Sequence, residues 1–197
     1  MARRSRPGCR EPQQAVVEYP GGIRVRYRWA GTGGGDAVFA LSETGGELFE
    51  YGDRAGSAFE RLCRAELRAE GPAGAWAARL ASPIFDVPAG VAWDTPGLLV
   101  VKYGFVTYGL AARTGELHWS HRSGSPVLAV LGSSRLPHVL VQAEIETFAL
   151  EADGEVRWRV GHSDVVAEAE LIGGRLVLTS YAGLLSALDP ATGRALV

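Results

Sequence analysis

Three short phrases return along this chain at one fixed interval. Thr114-Gly115-Glu116-Leu117-His118-Trp119 is followed by Asp153-Gly154-Glu155-Val156-Arg157-Trp158, and then by Thr192-Gly193-Arg194-Ala195-Leu196-Val197. Gly115, Gly154 and Gly193 stand 39 residues apart both times. Self-similarity at a fixed period of this size marks a propeller or a solenoid, in which each unit buries its apolar face against the next. Architecture is therefore constrained before any single residue is interpreted, and chemistry is not.

Turn residues divide each unit into four short apolar stretches. The last unit reads as strands over 165–171, 175–180, 184–188 and 194–197. Between them lie Gly173-Gly174, Tyr181-Ala182-Gly183 and Asp189-Pro190-Ala191-Thr192-Gly193. The unit before it reads 127–131, 139–143, 145–150 and 155–160, and the one before that 84–91, 98–103, 105–111 and 116–120. The turn signals come too close together for helices of three turns, so an antiparallel meander is predicted, which is the unit of a propeller blade. Trp76 joins Trp119 in the series because each is followed six residues later by Ser-Pro, at Ser82-Pro83 and Ser125-Pro126. Trp29 marks an earlier unit boundary, with 36–46 and 47–56 laid over 164–174 and 175–183.

Two segments fit the template less well. Residues 57–70 read equally as strand or as helix: Ser57 and Glu60 form a capping box, Phe59, Leu62, Cys63 and Leu67 share one helical face, and Gly71-Pro72 ends it. Upstream, 15–19 and 23–29 make a hairpin around Pro20-Gly21-Gly22. Residues 1–12 carry no pattern and are expected to be a mobile basic tail. The expected fold is thus all-β: a β-propeller of four-stranded antiparallel blades, four repeats plus the N-terminal hairpin, in one domain over 13–197. Its units end near Trp29, Trp76, Trp119, Trp158 and Val197.

The phrase Ala187-Leu188-Asp189-Pro190-Ala191-Thr192-Gly193, with its relatives ending in Trp119 and Trp158, resembles the repeat of pyrroloquinoline-quinone-dependent dehydrogenases and their non-catalytic relatives. The resemblance is good over 76–197 and weak over 15–75. It implies four-stranded blades around an axis, with the tryptophan of each outer region docked between adjacent blades. The quinone enzymes are longer, carry more blades and hold their cofactor with adjacent cysteines, a calcium site and a catalytic aspartate. Here Cys9 and Cys63 are far apart and no such constellation aligns, so a non-catalytic member is expected, with no cofactor, no metal and no catalytic residue.

Composition narrows the alternatives. A net charge of −2 argues against a general polyanion binder, and nucleic acid is not the expected partner. Lys102 is the only lysine among 20 basic residues. Two cysteines are too few for a disulfide framework. No apolar run of about 18 residues occurs and no apolar segment follows the basic N-terminus, so neither membrane nor export is expected and the cytoplasm is the default compartment.

Local candidates for chemistry each have a plainer explanation. His118 and His121 are three apart, which on a strand aims them to opposite faces and prevents them from sharing a metal. His162-Ser163-Asp164 aligns with the Ser-Pro turns and is read as a turn, not a triad. Gly31-Thr32-Gly33-Gly34-Gly35-Asp36 lacks the lysine of a phosphate loop. Glu144/Glu146 and Glu168/Glu170 are spaced to share a solvated strand face. Arg24, Arg26 and Arg28 form the most suggestive group, three guanidiniums on one side of a strand, suited to an anion or a partner, or facing Glu-rich strands of a neighbouring blade or subunit. The expected function is a non-catalytic scaffold that binds a protein or peptide. A quinoprotein-like dehydrogenase, or a fragment of one, and nucleic-acid binding through the arginine row rank below it. The array is expected to close within one chain, the first hairpin beside 194–197; the alternatives are a homodimer that completes a larger ring and an open arc that needs a partner.

Overall fold

In a computed structural model, residues 12–31, 47–52 and 63–196 are described. Two compact units divide the chain, one up to Pro88 and the other from Ala89 onward.

Alternation of apolar and polar residues builds the first unit. Strands β1 (Gln13–Tyr19), β2 (Ile23–Ala30), β4 (Cys63–Gly71) and β5 (Gly74–Ser82) pair antiparallel in that order. Strand β3 (Glu47–Gly52) adds to β5 in parallel, so the sheet has five strands. Val25, Tyr27 and Trp29 face one way with Ala65, Leu67 and Ala69 of β4 and with Trp76, Ala78 and Leu80 of β5, all buried. The opposite face carries the arginines.

Two expectations are corrected here and one open choice is decided. Trp29 does not close a unit: it sits on β2, paired with Ala65, in the same sheet as Trp76. The hairpin over 15–29 is therefore half of the first blade and not an extra element. The template laid over 47–56 fails over 47–52, which joins the sheet beyond β5 in parallel, outside the meander order; 36–46 and 53–56 lie outside the described residues. Finally, 63–70 is strand and not helix, since burial of Cys63, Ala65, Leu67 and Ala69 follows a period of two; residues 57–62 lie outside the described residues. No helix occurs among the described residues, hence none long and apolar enough to cross a membrane.

The second unit holds three sheets. The first consists of β6 (Ala89–Trp93), β7 (Leu98–Tyr103), β8 (Val106–Ala111) and β9 (Leu117–Arg122). Next come β10 (Val127–Leu131), β11 (Val139–Ala143), β12 (Glu146–Leu150) and β13 (Val156–Gly161). The last contains β14 (Val166–Ile172), β15 (Arg175–Ser180) and β16 (Leu185–Leu188), with one further bridge from Leu188 to Ala195. All three are antiparallel meanders. Strand β6 starts later than the predicted 84–91, because Pro83 and Pro88 lack the N–H a ladder needs.

Adjacent sheets pack face to face. Trp93, Leu98, Val100 and Trp119 meet Val127, Val130, Val139, Val141, Phe148 and Leu150 in one core cluster. The other face of the middle sheet, Leu140 and Ala149, joins Val166, Leu176, Leu178 and Leu188 in a second. Strands β7 and β11 are buried along their whole length, and Lys102 is buried with them at 5% exposure.

Candidate functional site

The repeated phrase makes the seams between sheets. Each tryptophan occupies the third position of its strand, Trp76 on β5, Trp119 on β9 and Trp158 on β13, and each faces a small residue on the neighbouring strand: Ala69, Gly109 and Ala149. Trp119 then reaches forward to the next sheet. Its Nε1–H donates to the Ala152 carbonyl over 2.9 Å, and a Cβ on Gly154 would lie 2.7 Å from its ring. Trp158 repeats the packing, with a Cβ on Gly193 falling 2.5 Å from its ring, but not the hydrogen bond of its indole N–H. Gly154 and Gly193 have φ of +88° and +71°, the left-handed region that favours glycine. These glycines thus serve two ends, the turn and the slot for the indole. Gly109 is the slot residue that the sequence reading missed; the small residue opposite each tryptophan was the available signal. Inter-blade docking of Trp119 and Trp158 agrees with what the repeat implied, and Gly115 occupies the same left-handed turn position with φ +76°.

The turns are sealed by their own side chains. Asp189 accepts Ala191 N–H and the Thr192 hydroxyl, both at 2.9 Å, and these bonds hold its carboxyl below the usual range. Ser82 Oγ accepts Ile84 N–H, and Ser125 Oγ accepts Ile145 N–H from the next sheet. Asp164 takes the corresponding place: it accepts Val165 N–H at 2.8 Å and Ala182 N–H at 3.4 Å. Its carboxyl is held low first by the Ser180 hydroxyl and then by these amides. His162-Ser163-Asp164 is the turn it was read to be.

The histidines have structural partners. His162 Nε2 lies 2.6 Å from Thr147 Oγ1, whose hydroxyl donates to Gln142 Oε1, and Gln142 Nε2 donates to the Ala143 and Glu146 carbonyls. With its own hydrogen committed, Thr147 accepts from a protonated His162 Nε2. Burial lowers the His162 pKa. His121 accepts a hydrogen bond from Arg159 of the next sheet over 3.1 Å and packs on the Phe148 ring. Desolvation, then Arg159, lowers its pKa, while Glu146 and Glu155 act in the opposite sense. His118 is exposed on the other side of β9. No group of three or more His, Cys, Asp or Glu suited to a metal occurs among the described residues.

Glu144 and Glu146 do not share a strand face, because β12 begins at Glu146 and Glu144 lies in the preceding turn. Glu146 is engaged: it accepts Gly124 N–H from the previous sheet at 3.0 Å and pairs with Arg159 at 3.4 Å. Glu168 and Glu170 lie exposed on β14, as read.

The arginine row lies on one face of β2, with Arg24 and Arg26 exposed and Arg28 half-buried. Register opposes Arg24 to Glu18 and Glu70, Arg26 to Val16 and Arg68, and Arg28 to Gln14 and Glu66. Glu66 is fully buried and held by Arg68 at 2.7 Å and Arg79 at 3.8 Å. The row is therefore interleaved with carboxylates and not a uniform strip for a polyanion. Gly31 is described, and the rest of the glycine-rich stretch, like Cys9, lies outside the described residues.

No protein-family model and no curated protein matches the sequence. Solved structures do match in fold. BamB from Moraxella catarrhalis aligns with a TM-score of 0.53 at 16% identity, over 94% of this chain and 62% of that one. HIRA(644-1017) aligns with a TM-score of 0.51 at 13% identity, over 96% and 54%. The computationally designed Ika8 protein aligns at 0.52 and 14% identity, over 69% and 45%. The chain thus spans between about half and two-thirds of the length of the structures it matches. The likeness is one of fold, and that fold is all-β, built of four-stranded antiparallel blades of the β-propeller class.

Proposed function

We propose that this chain is a non-catalytic β-propeller scaffold whose second unit holds a protein or peptide partner, with the cytoplasm as its compartment. One observation carries this reading: equivalent turns of the sheets carry an apolar residue at one position, and two of these tips, Ile145 and Leu184, are exposed. Phe105, Ile145 and Leu184 each stand immediately before the third strand of their sheet, at the starts of β8, β12 and β16. Backbone bonds tie these turns to the next sheet, Val127 N–H to the Gly104 carbonyl and Val166 N–H to the Glu144 carbonyl, so the tips share one side of the unit. Ile145 is 49% exposed and Leu184 68%, with Tyr181 at 78% in the same turn as Leu184, while Phe105 is half-buried beneath the Arg122 guanidinium. Exposed apolar groups in a line mark an interaction surface more often than a solvent face. The polar groups nearby, His121, Glu146, His162 and Asp164, are spent on seams and turns, which supports a binding role over a reactive one. The repeat's resemblance to quinoprotein repeats is compatible with this, as non-catalytic relatives share it.

The test compares affinity capture by the wild type and by an Ile145→Asp/Leu184→Asp variant of unchanged circular dichroism. Capture of a specific partner is expected to weaken by about tenfold or more in the variant. Equal capture by both removes this face. Saturable pyrroloquinoline-quinone binding with dye-linked turnover overturns the non-catalytic reading.

A further inference from the structure

The last sheet has one face packed against its neighbour and one face open. Glu168, Glu170 and Ile172 of β14 point to the open side, the last 53% exposed. Register sets Thr179 and Leu185 beside Glu168, and Val177 and Ala187 beside Glu170. Leu185 is 74% exposed. In the other two sheets of this unit the corresponding face is covered by the sheet that follows.

A complementary surface exists in the first unit. Arg24 and Arg26 are exposed on β2, and Val16 lies beside Arg26 on β1 with 46% exposure. Alternate residues of a strand are spaced about 7 Å apart. Glu18 and Glu70 flank Arg24 in register, while Arg26 stands between Val16 and Arg68, so the row keeps an excess of guanidinium for the two carboxylates beside Leu185 and Val177. Neither surface suits a copy of itself, since arginine would meet arginine and glutamate would meet glutamate.

We infer that the arginine face of the first sheet receives the open glutamate face of the last sheet of a second copy of this chain, head to tail. The two faces differ, so the contact is heterologous. Charge steers the encounter, and burial of Val16, Ile172 and Leu185 adds the apolar contribution that exposed ion pairs lack. The inference uses none of the turn tips assigned to a partner, so the two readings stand or fall apart.

The experiment is sedimentation velocity on the full chain over a wide concentration range. The wild type should dimerise, and the dimer should weaken as salt rises from about 0.05 M to about 0.5 M. Arg24→Glu/Arg26→Glu and Glu168→Arg/Glu170→Arg should each weaken dimerisation by about tenfold or more. An equimolar mixture of the two should dimerise again, because the faces that meet are then complementary. Should either double variant lose its β-sheet circular dichroism, Arg26→Gln and Glu170→Gln replace them, with the same direction expected. A wild type that stays monomeric at every concentration, or a dimer indifferent to these substitutions, overturns the inference.

Discussion

At Gly154 two demands fall on one residue. Its φ of +88° is costly for any side chain, and a Cβ would stand 2.7 Å from the Trp119 ring. Gly174 has φ +77° but nothing within 4 Å of such a Cβ. The pair separates backbone strain from seam packing. Gly174→Ala should cost about 1 kcal/mol, the strain alone. Gly154→Ala should cost on the order of 3 kcal/mol, because the indole must also move. Urea unfolding of both variants checks this, and equal losses would refute the slot. Trp119→Ala should cost about 3–5 kcal/mol, as it empties the slot and leaves the Ala152 carbonyl without its donor. Sequence alone placed Gly154, Gly193, Trp119 and Trp158 because they recur. It missed Gly109 because a small residue, and not glycine itself, recurs opposite the tryptophans, and it missed the Gln142–Thr147–His162 chain because that does not recur: Thr107 matches Thr147, but Lys102 stands where Gln142 does.

Elements respond to pH through the seam histidines. The pKa values of His162 and His121 are lowered from the ordinary 6.5, by burial first. The unfolded chain therefore takes up protons more readily than the folded one. Stability is full above that ordinary value and falls as pH drops below it, until each folded-state pKa is passed. The urea midpoint should decrease between about pH 7.5 and about pH 5.5, and His162→Gln should flatten the slope. A wild-type midpoint constant across that interval would sink the prediction. Strand positions were most legible where turn residues bound them closely, in strands buried throughout such as β7 and β11 and in half-buried ones such as β10 and β15. Val127–Leu131, Leu98–Tyr103, Val139–Ala143 and Arg175–Ser180 fall where the turn residues put them. Legibility failed in the first blade, where a long insertion separates its second and third strands. That insertion mimicked a repeat period and put a unit boundary at Trp29. Period-two burial also decided 63–70 against the helical face that the same residues offered.

For the whole molecule, division into two compact units predicts that damage stays local. Gly154→Ala should lower amide protection over 89–196 while strands β1, β2, β4 and β5 keep theirs, as followed by hydrogen exchange with mass spectrometry. Loss of protection in both units together would contradict it. Lys102 offers a separate handle on the same unit. It supplies the only side-chain amine of the chain and lies deep in a strand with every residue buried. Acylating reagents will thus find no lysine on the native surface, and modification at this position becomes a clock for the opening of β7. Surface coupling or cross-linking of the intact protein has to use other groups, such as carboxylates, guanidiniums or the exposed Tyr181 ring.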